Sequence, residues 1–199
     1  MRDDLPEILI THYVGGAWVA PLGTRNAGFF DPAAGVGGTL VFAAPADITR
    51  AVDAARRAAE GLAGLADVER RAVLGRAAAA LAAEVPGPVE ADDADTVPDG
   101  SGRTCAVIVR REVPAATVAA AVLRLLAADL ALVMMPDPRA PLPAVRLAMA
   151  LHGAGLPPGW LNLIHGDAAA ARALAAHPGI GRVWPAGQLS GGIRPRPRR

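Results

Sequence analysis

Cys105-Ala106-Val107-Ile108-Val109, the run Ala115 to Ala128, and Leu130-Ala131-Leu132-Val133-Met134-Met135 follow one another with short polar breaks between them. The first and third are short apolar runs at strand length, and the second is long enough and Ala/Leu-rich enough for a helix. The pattern then repeats. Pro143 to Gly153 predicts a helix stopped at glycine, Trp160 to His165 a strand, Ala168 to Ala176 a helix and Gly181 to Trp184 a last strand. Strands alternating with helices at these lengths imply right-handed βαβ units and a parallel sheet of about four strands, an α/β fold of Rossmann type.

Upstream, His12 to Ala20 alternates about Gly15-Gly16 as a β-hairpin does, and Thr39 to Ala43 reads as a second strand after the loop Asp31 to Gly35. Ile48, Val52, Ala55 and Ala59 fall at helical spacing behind Asp47, taken as an N-cap. Val68, Val73, Leu74, Ala77 and Leu81 do the same behind Asp67. The sequence thus divides into a hairpin-and-helix segment (1–85), an acidic Pro/Gly linker (86–104), a partial Rossmann-like domain (105–190) and an Arg/Pro tail (191–199). The linker carries Glu90, Asp92, Asp93, Asp95 and Asp99 and almost no large apolar residue. It lacks the alternating ligands and terminal Glu of a calcium loop.

Composition narrows the chemistry. The chain has 199 residues, a formal net charge of +1 and 52% hydrophobic residues. It can bury a core and has no global field for nucleic acid or anionic lipid. There is no lysine, so Schiff-base and P-loop lysines are excluded. The single cysteine, Cys105, excludes an internal disulfide and a cysteine-based zinc site, and no metal-ligand spacing occurs. The N-terminus lacks signal-peptide character and no uncharged apolar run reaches about 18 residues, which predicts a soluble cytoplasmic protein. Arg194 to Arg199 have no interleaved aromatics, so nucleic acid is not an expected partner.

Several stretches resemble the N-terminal, cofactor-binding part of the aldehyde dehydrogenase superfamily. Val14-Gly15-Gly16-Ala17-Trp18 is similar to the family's "(I/V)-(N/G)-G-x-W", and Asp31 to Gly35 to its "NPATG". Ala140-Pro141-Leu142, Gly155 to Asn162, Gly166-Asp167 and His177-Pro178 match the order and spacing of its "TPL…AGLPPGVLN…GD…HP". The resemblance implies an NAD(P)-dependent oxidoreductase family with a cysteine nucleophile and a glutamate base. Neither has a match here: Cys105, at the start of a strand, does not match the nucleophile.

Other family positions are also altered. The family's "PWNFP" falls on Arg110 to Pro114, placing Glu112 where the resemblance expects an asparagine donor to the oxyanion. Its "KPSE" falls on Met135 to Pro138, so the ribose-binding lysine and glutamate become Met135 and Pro138. Its "FTGS" falls on Pro185 to Gln188, and only Gly166 and Gly187 remain as candidate cofactor-binding positions. NAD(P) is therefore implied by the resemblance alone.

Three functions remain open. The chain acts as a truncated binding or partner module, or a vestigial product, without dehydrogenase activity; or it is a small acid-base enzyme using a polar rim of Glu112, His165 and Asp167; or it is one subunit of a split oxidoreductase. An apolar parallel sheet without its family's covering elements predicts self-association or a protein partner.

Overall fold

The computed structural model describes residues 10–31, 34–62, 64–85 and 100–186. Most of the acidic linker, Pro32, Gly187, Gln188 and the Arg/Pro tail therefore lie outside the described residues. The chain forms β1 (His12–Val14), β2 (Ala17–Val19), β3 (Asn26–Asp31), β4 (Val36–Val41), α1 (Pro45–Leu62) and α2 (Asp67–Glu84), then β5 (Thr104–Val109) and α3 (Ala115–Ala127). It continues through β6 (Ala131–Pro136), α4 (Leu142–Gly153), β7 (Leu161–Leu163), α5 (Ala168–Ala175) and β8 (Arg182–Ala186).

Six strands form one sheet in the order β2-β1-β7-β6-β5-β8. Strands β7, β6, β5 and β8 run parallel, with Cys105 opposite both Leu132 and Arg182, and Leu132 opposite Leu161. Numbered along the chain, the parallel strands lie in the order 3-2-1-4, the Rossmann arrangement, whose direction of winding reverses between β5 and β8. All six residues of β6 are buried, which accounts for an apolar run without alternation. Helices α1 and α5 cover one face of the sheet; α3 and α4 cover the other, with α2 packed outside them.

The hairpin joins the same sheet. Gly15 (φ 62°) and Gly16 (φ 87°) take the left-handed conformation that a two-residue turn requires. Tyr13 then pairs with Leu163, and buried Asn162 accepts a hydrogen bond from Gly15 N–H at 2.9 Å while donating to the Leu132 and Gly159 carbonyls. Gly159 (φ 82°) lets the turn before β7 lie against α1, because a Cβ there would sit 2.8 Å from the Ala54 carbonyl oxygen.

Two local expectations need correction. The predicted strand at Thr39 to Ala43 is instead β4, beginning at Val36 and paired with β3 in a separate two-stranded sheet. Gly28, Gly37 and Gly38 dilute the β signal there, so the pairing owes more to register than to propensity. Asp47 is not the N-cap of α1. It is the third helical residue, and its carboxylate reaches back to the Ala44 N–H at 3.0 Å, as the acidic member of a capping box does. It also accepts from Leu22 N–H and Gly23 N–H and pairs with Arg50 at 2.8 Å, tying the 20–25 loop to the helix.

Candidate functional site at the carboxyl ends of the parallel strands

Open α/β sheets place ligands beyond the carboxyl ends of their strands. A cleft of about 510 Å³ lies there, between the ends of β5 and β6 and the start of α5. Ile108, Met135, Pro136 and Ala171 give it an apolar floor, while Arg110, Asp137, Arg139, Asp167 and Arg172 supply charge. A larger hollow of about 940 Å³, lined by Arg56, Arg103 and His177, opens near the amino-terminal ends of β5 and β8, away from the positions this fold uses for chemistry.

Most charges in the cleft are committed to ion pairs, within it or with neighbouring residues. Asp137 accepts from Arg139 N–H and Nε at 2.9 Å each and from Nη2 at 2.7 Å, and these bonds hold its carboxyl below the usual range. Asp167 caps α5, accepting from Ala169 N–H at 3.0 Å and Ala170 N–H at 2.9 Å, and meets Arg25 at 2.7 Å. Arg25 first, then the Ala170 N–H, lowers its proton affinity. A carboxylate held this way is a weak general base at neutral pH.

Among the described residues no hydrogen bond joins the His165 ring to Glu112 or Asp167, the rim residues expected to work with it. Glu112 lies on the turn after β5, where its own backbone N–H and then Arg111 hold its carboxyl below the usual range, with Arg111 Nε at 3.1 Å and Arg110 Nε at 3.4 Å. His165 is 1% exposed, and neither ring nitrogen has a hydrogen-bond partner among the described residues. Burial pushes its pKa down to about 3. Its neighbour is the ring of His12, 5.9 Å away between centroids, and neither carboxylate is hydrogen-bonded to it.

Gly166 does border the cleft. A Cβ there would lie 2.7 Å from the Ala170 Cβ and 2.9 Å from the Met135 Sδ, so its space is occupied by core atoms. Gly187 lies outside the described residues. Met135 is 2% exposed and offers only a thioether; Asp137, the acid beyond the second parallel strand, is tied to Arg139. In the Rossmann arrangement an acid in that region holds a ribose hydroxyl. These residues do not fit the ribose contacts that the resemblance implies. Among the described residues no cluster of three or more metal-ligating side chains occurs.

Arg25, His12 and Asp47 were not singled out as site-forming residues in the sequence. Arg25 meets Asp167 across 142 positions, and nothing local in the sequence signals that pairing. The Asp47/Arg50 pair had a signal, its i,i+3 spacing.

Comparison with known proteins agrees with this architecture. The model of the Aldehyde dehydrogenase family matches residues 101–192. The 3-succinoylsemialdehyde-pyridine dehydrogenase of a Pseudomonas species is 28% identical over 86% of this chain and 45% of its own length. Betaine aldehyde dehydrogenase 2 of Rhizobium meliloti (strain 1021) is 39% identical over 69 residues, 35% of this chain and 14% of that protein. An NAD+ complex of an aldehyde dehydrogenase from Bacillus cereus superposes with a TM-score of 0.71 at 20% identity, over 94% of this chain and 48% of that one. A putative aldehyde dehydrogenase from Burkholderia cenocepacia gives 0.69 at 28% identity, over 85% and 45%. In each of these matches less than half the relative's length is covered.

Proposed function

Because residues 101–192 match the model of the Aldehyde dehydrogenase family, we propose that by itself this chain serves as a binding or partner module built on the family's cofactor-domain fold, without dehydrogenase chemistry of its own. The observation that carries this reading is the state of its only thiol. Cys105 is fully buried in β5, and burial pushes its pKa up to about 12. Attack on an aldehyde carbonyl requires an accessible thiolate, and this one is neither accessible nor ionised at neutral pH. The purified chain, given an aldehyde with NAD+ or NADP+, is expected to show no rise in absorbance at 340 nm; a cofactor-dependent rise that persists in Cys105→Ser would overturn the proposal. Calorimetric titration with NAD+ is likewise expected to show no low-micromolar binding, and such binding would overturn the loss of cofactor contacts assigned to Met135, Pro138 and Gln188.

The partner is proposed to meet the chain at an edge of the sheet. Both faces carry helices, and among the described residues β8 stands at the end of the sheet order, beside β5. An unpaired edge presents a row of backbone donors and acceptors to a second chain. Self-association or an obligate partner is the expected outcome, and a monodisperse monomer near 20.2 kDa by light scattering at tens of micromolar would sink it.

A further inference from the structure

His12 and His165 form a buried pair that the cleft does not use. His12 is 0% exposed and His165 1%. His12 lies in β1, and His165 follows β7, the strand on which the hairpin docks. The backbone N–H of His165 donates to His12 Nδ1 at 3.3 Å, so Nδ1 must carry a lone pair. The His165 carbonyl is held by Ala43 N–H at 2.8 Å, which fixes that backbone in place.

We propose that this pair is an acid-operated latch: two neutral rings hold the β1–β2 hairpin on the parallel sheet, and proton uptake releases it. A proton on His12 Nδ1 replaces the acceptor with a donor that faces the His165 N–H, so the contact changes from attractive to repulsive. A proton on His165 places a charge on a ring whose nitrogens have no acceptor among the described residues. The second proton then meets the first across 5.9 Å of buried space.

The charged groups beside the pair come from α1. Asp47 favours a charge on His12 and Arg50 opposes it, while the Thr11 backbone gives slight support. Asp47 cannot turn towards the ring without giving up the Leu22, Gly23 and Ala44 N–H groups and Arg50. His152 in α4 meets the hairpin elsewhere, at the Tyr13 hydroxyl, 3.0 Å from Nδ1. A phenol oxygen can donate or accept, so this contact survives protonation.

The direction follows from burial, which lowers His12 to about 4 and His165 to about 3 from an ordinary value of 6.5. The latch is fully closed above pH 6.5 and weakens as pH falls towards the folded values. By pH 4.5 each ring favours the released state by about 100-fold, about 10⁴-fold together. Glu112, Asp137 and Asp167 are held below the usual carboxylate range, so their protonation comes at lower pH.

The test is hydrogen exchange on the full chain from pH 7 to 4.5, corrected for intrinsic rates. Peptides over residues 11–20 are compared with those over β5 and β6. The hairpin is expected to lose protection with a limiting slope of two protons per event while β5 and β6 keep theirs. His12→Phe and His165→Leu should each reduce that slope to one. Imidazole resonances of the unmutated chain give a second reading, in which both rings stay neutral until the hairpin opens. Hairpin protection independent of pH, an unchanged slope in folded variants, loss only together with β5 and β6, or rings that titrate near 6.5 while the hairpin stays protected would each overturn the latch.

Discussion

Replacing Asp47 by alanine should be among the most damaging single changes in this chain, and its size can be worked from the contacts. The carboxylate is 0% exposed and accepts from Leu22 N–H at 2.9 Å, Gly23 N–H at 3.0 Å and Ala44 N–H at 3.0 Å, with Arg50 at 2.8 Å. Hydrogen bonds to a charged acceptor contribute about 1.5–3 kcal/mol each, and removing one partner leaves the donor to find water. Leu22 is 58% exposed, so the loop donors can rehydrate and recover part of the loss. Ala44 N–H and the Arg50 side chain recover less. The net expectation is about 3–5 kcal/mol, a large share of the ~5–15 kcal/mol that holds an ordinary domain together. Asp47→Asn keeps one acceptor oxygen without the charge and should cost about half as much.

Urea unfolding followed by far-ultraviolet circular dichroism measures both variants. With m near 1–3 kcal/mol/M, the alanine variant should lower the midpoint by more than 1 M. A double-mutant cycle adds a sharper criterion. Asp47 holds the 20–25 loop, and the loop delivers Arg25 to Asp167, so Arg25→Ala should have a measurable effect in the parent chain and none in the Asp47→Ala background. A midpoint change equivalent to less than ~1 kcal/mol in Asp47→Ala, or additive effects in the cycle, would refute the role assigned to this carboxylate.

Other changes test neighbouring parts of the argument. Gly23→Ala should destabilise the same loop, because the new Cβ would collide with the Phe42 carbonyl oxygen and the backbone there cannot yield cheaply; an unchanged unfolding midpoint would contradict it. Asp167→Ala should remove about 1 kcal/mol of N-cap stabilisation from α5, seen as faster exchange at Ala169 and Ala170. Since the folded carboxyl of Asp167 is held below its ordinary value, its contribution is present above about pH 4 and fades as pH falls through the folded value. Cys105 should resist iodoacetamide in the native chain at pH 8 and react fully in urea, and rapid native labelling would place the thiol outside the sheet.

The sheet was legible because β5 and β6 are short apolar runs bounded by polar turns, and a strand buried on both faces has little choice of composition. The hairpin was legible from Gly15-Gly16, whose positive φ values few other residue pairs support. The rim was not. His165, Gly166 and Asp167 are consecutive, yet His165 turns into the core, Gly166 packs on Met135 and only Asp167 reaches Arg25. Reading position along a strand says which residues end near the cleft. Which of them face it depends on pairings such as Arg25 with Asp167 and His12 with His165, separated by 142 and 153 positions.

The same geometry changes where association should occur. Apolar strands without their family's covering elements suggested an exposed sheet face. Instead α1, with Ile48, Val52, Ala55 and Ala59 buried, lies over β5, β6 and β7 and shares that face with α5, while α3 and α4 cover the opposite one. The large apolar residues that remain exposed among the described ones, Ile10, Leu22, Phe30 and Val68, are scattered through separate elements. Hydrophobic collapse onto a partner's face therefore has little to act on, whereas β8 stands at the end of the sheet order among the described residues. Strand addition at that edge would be held by directional hydrogen bonds and register. It should consequently be disrupted by a proline at an outward-facing N–H of β8 more than by loss of any single exposed side chain.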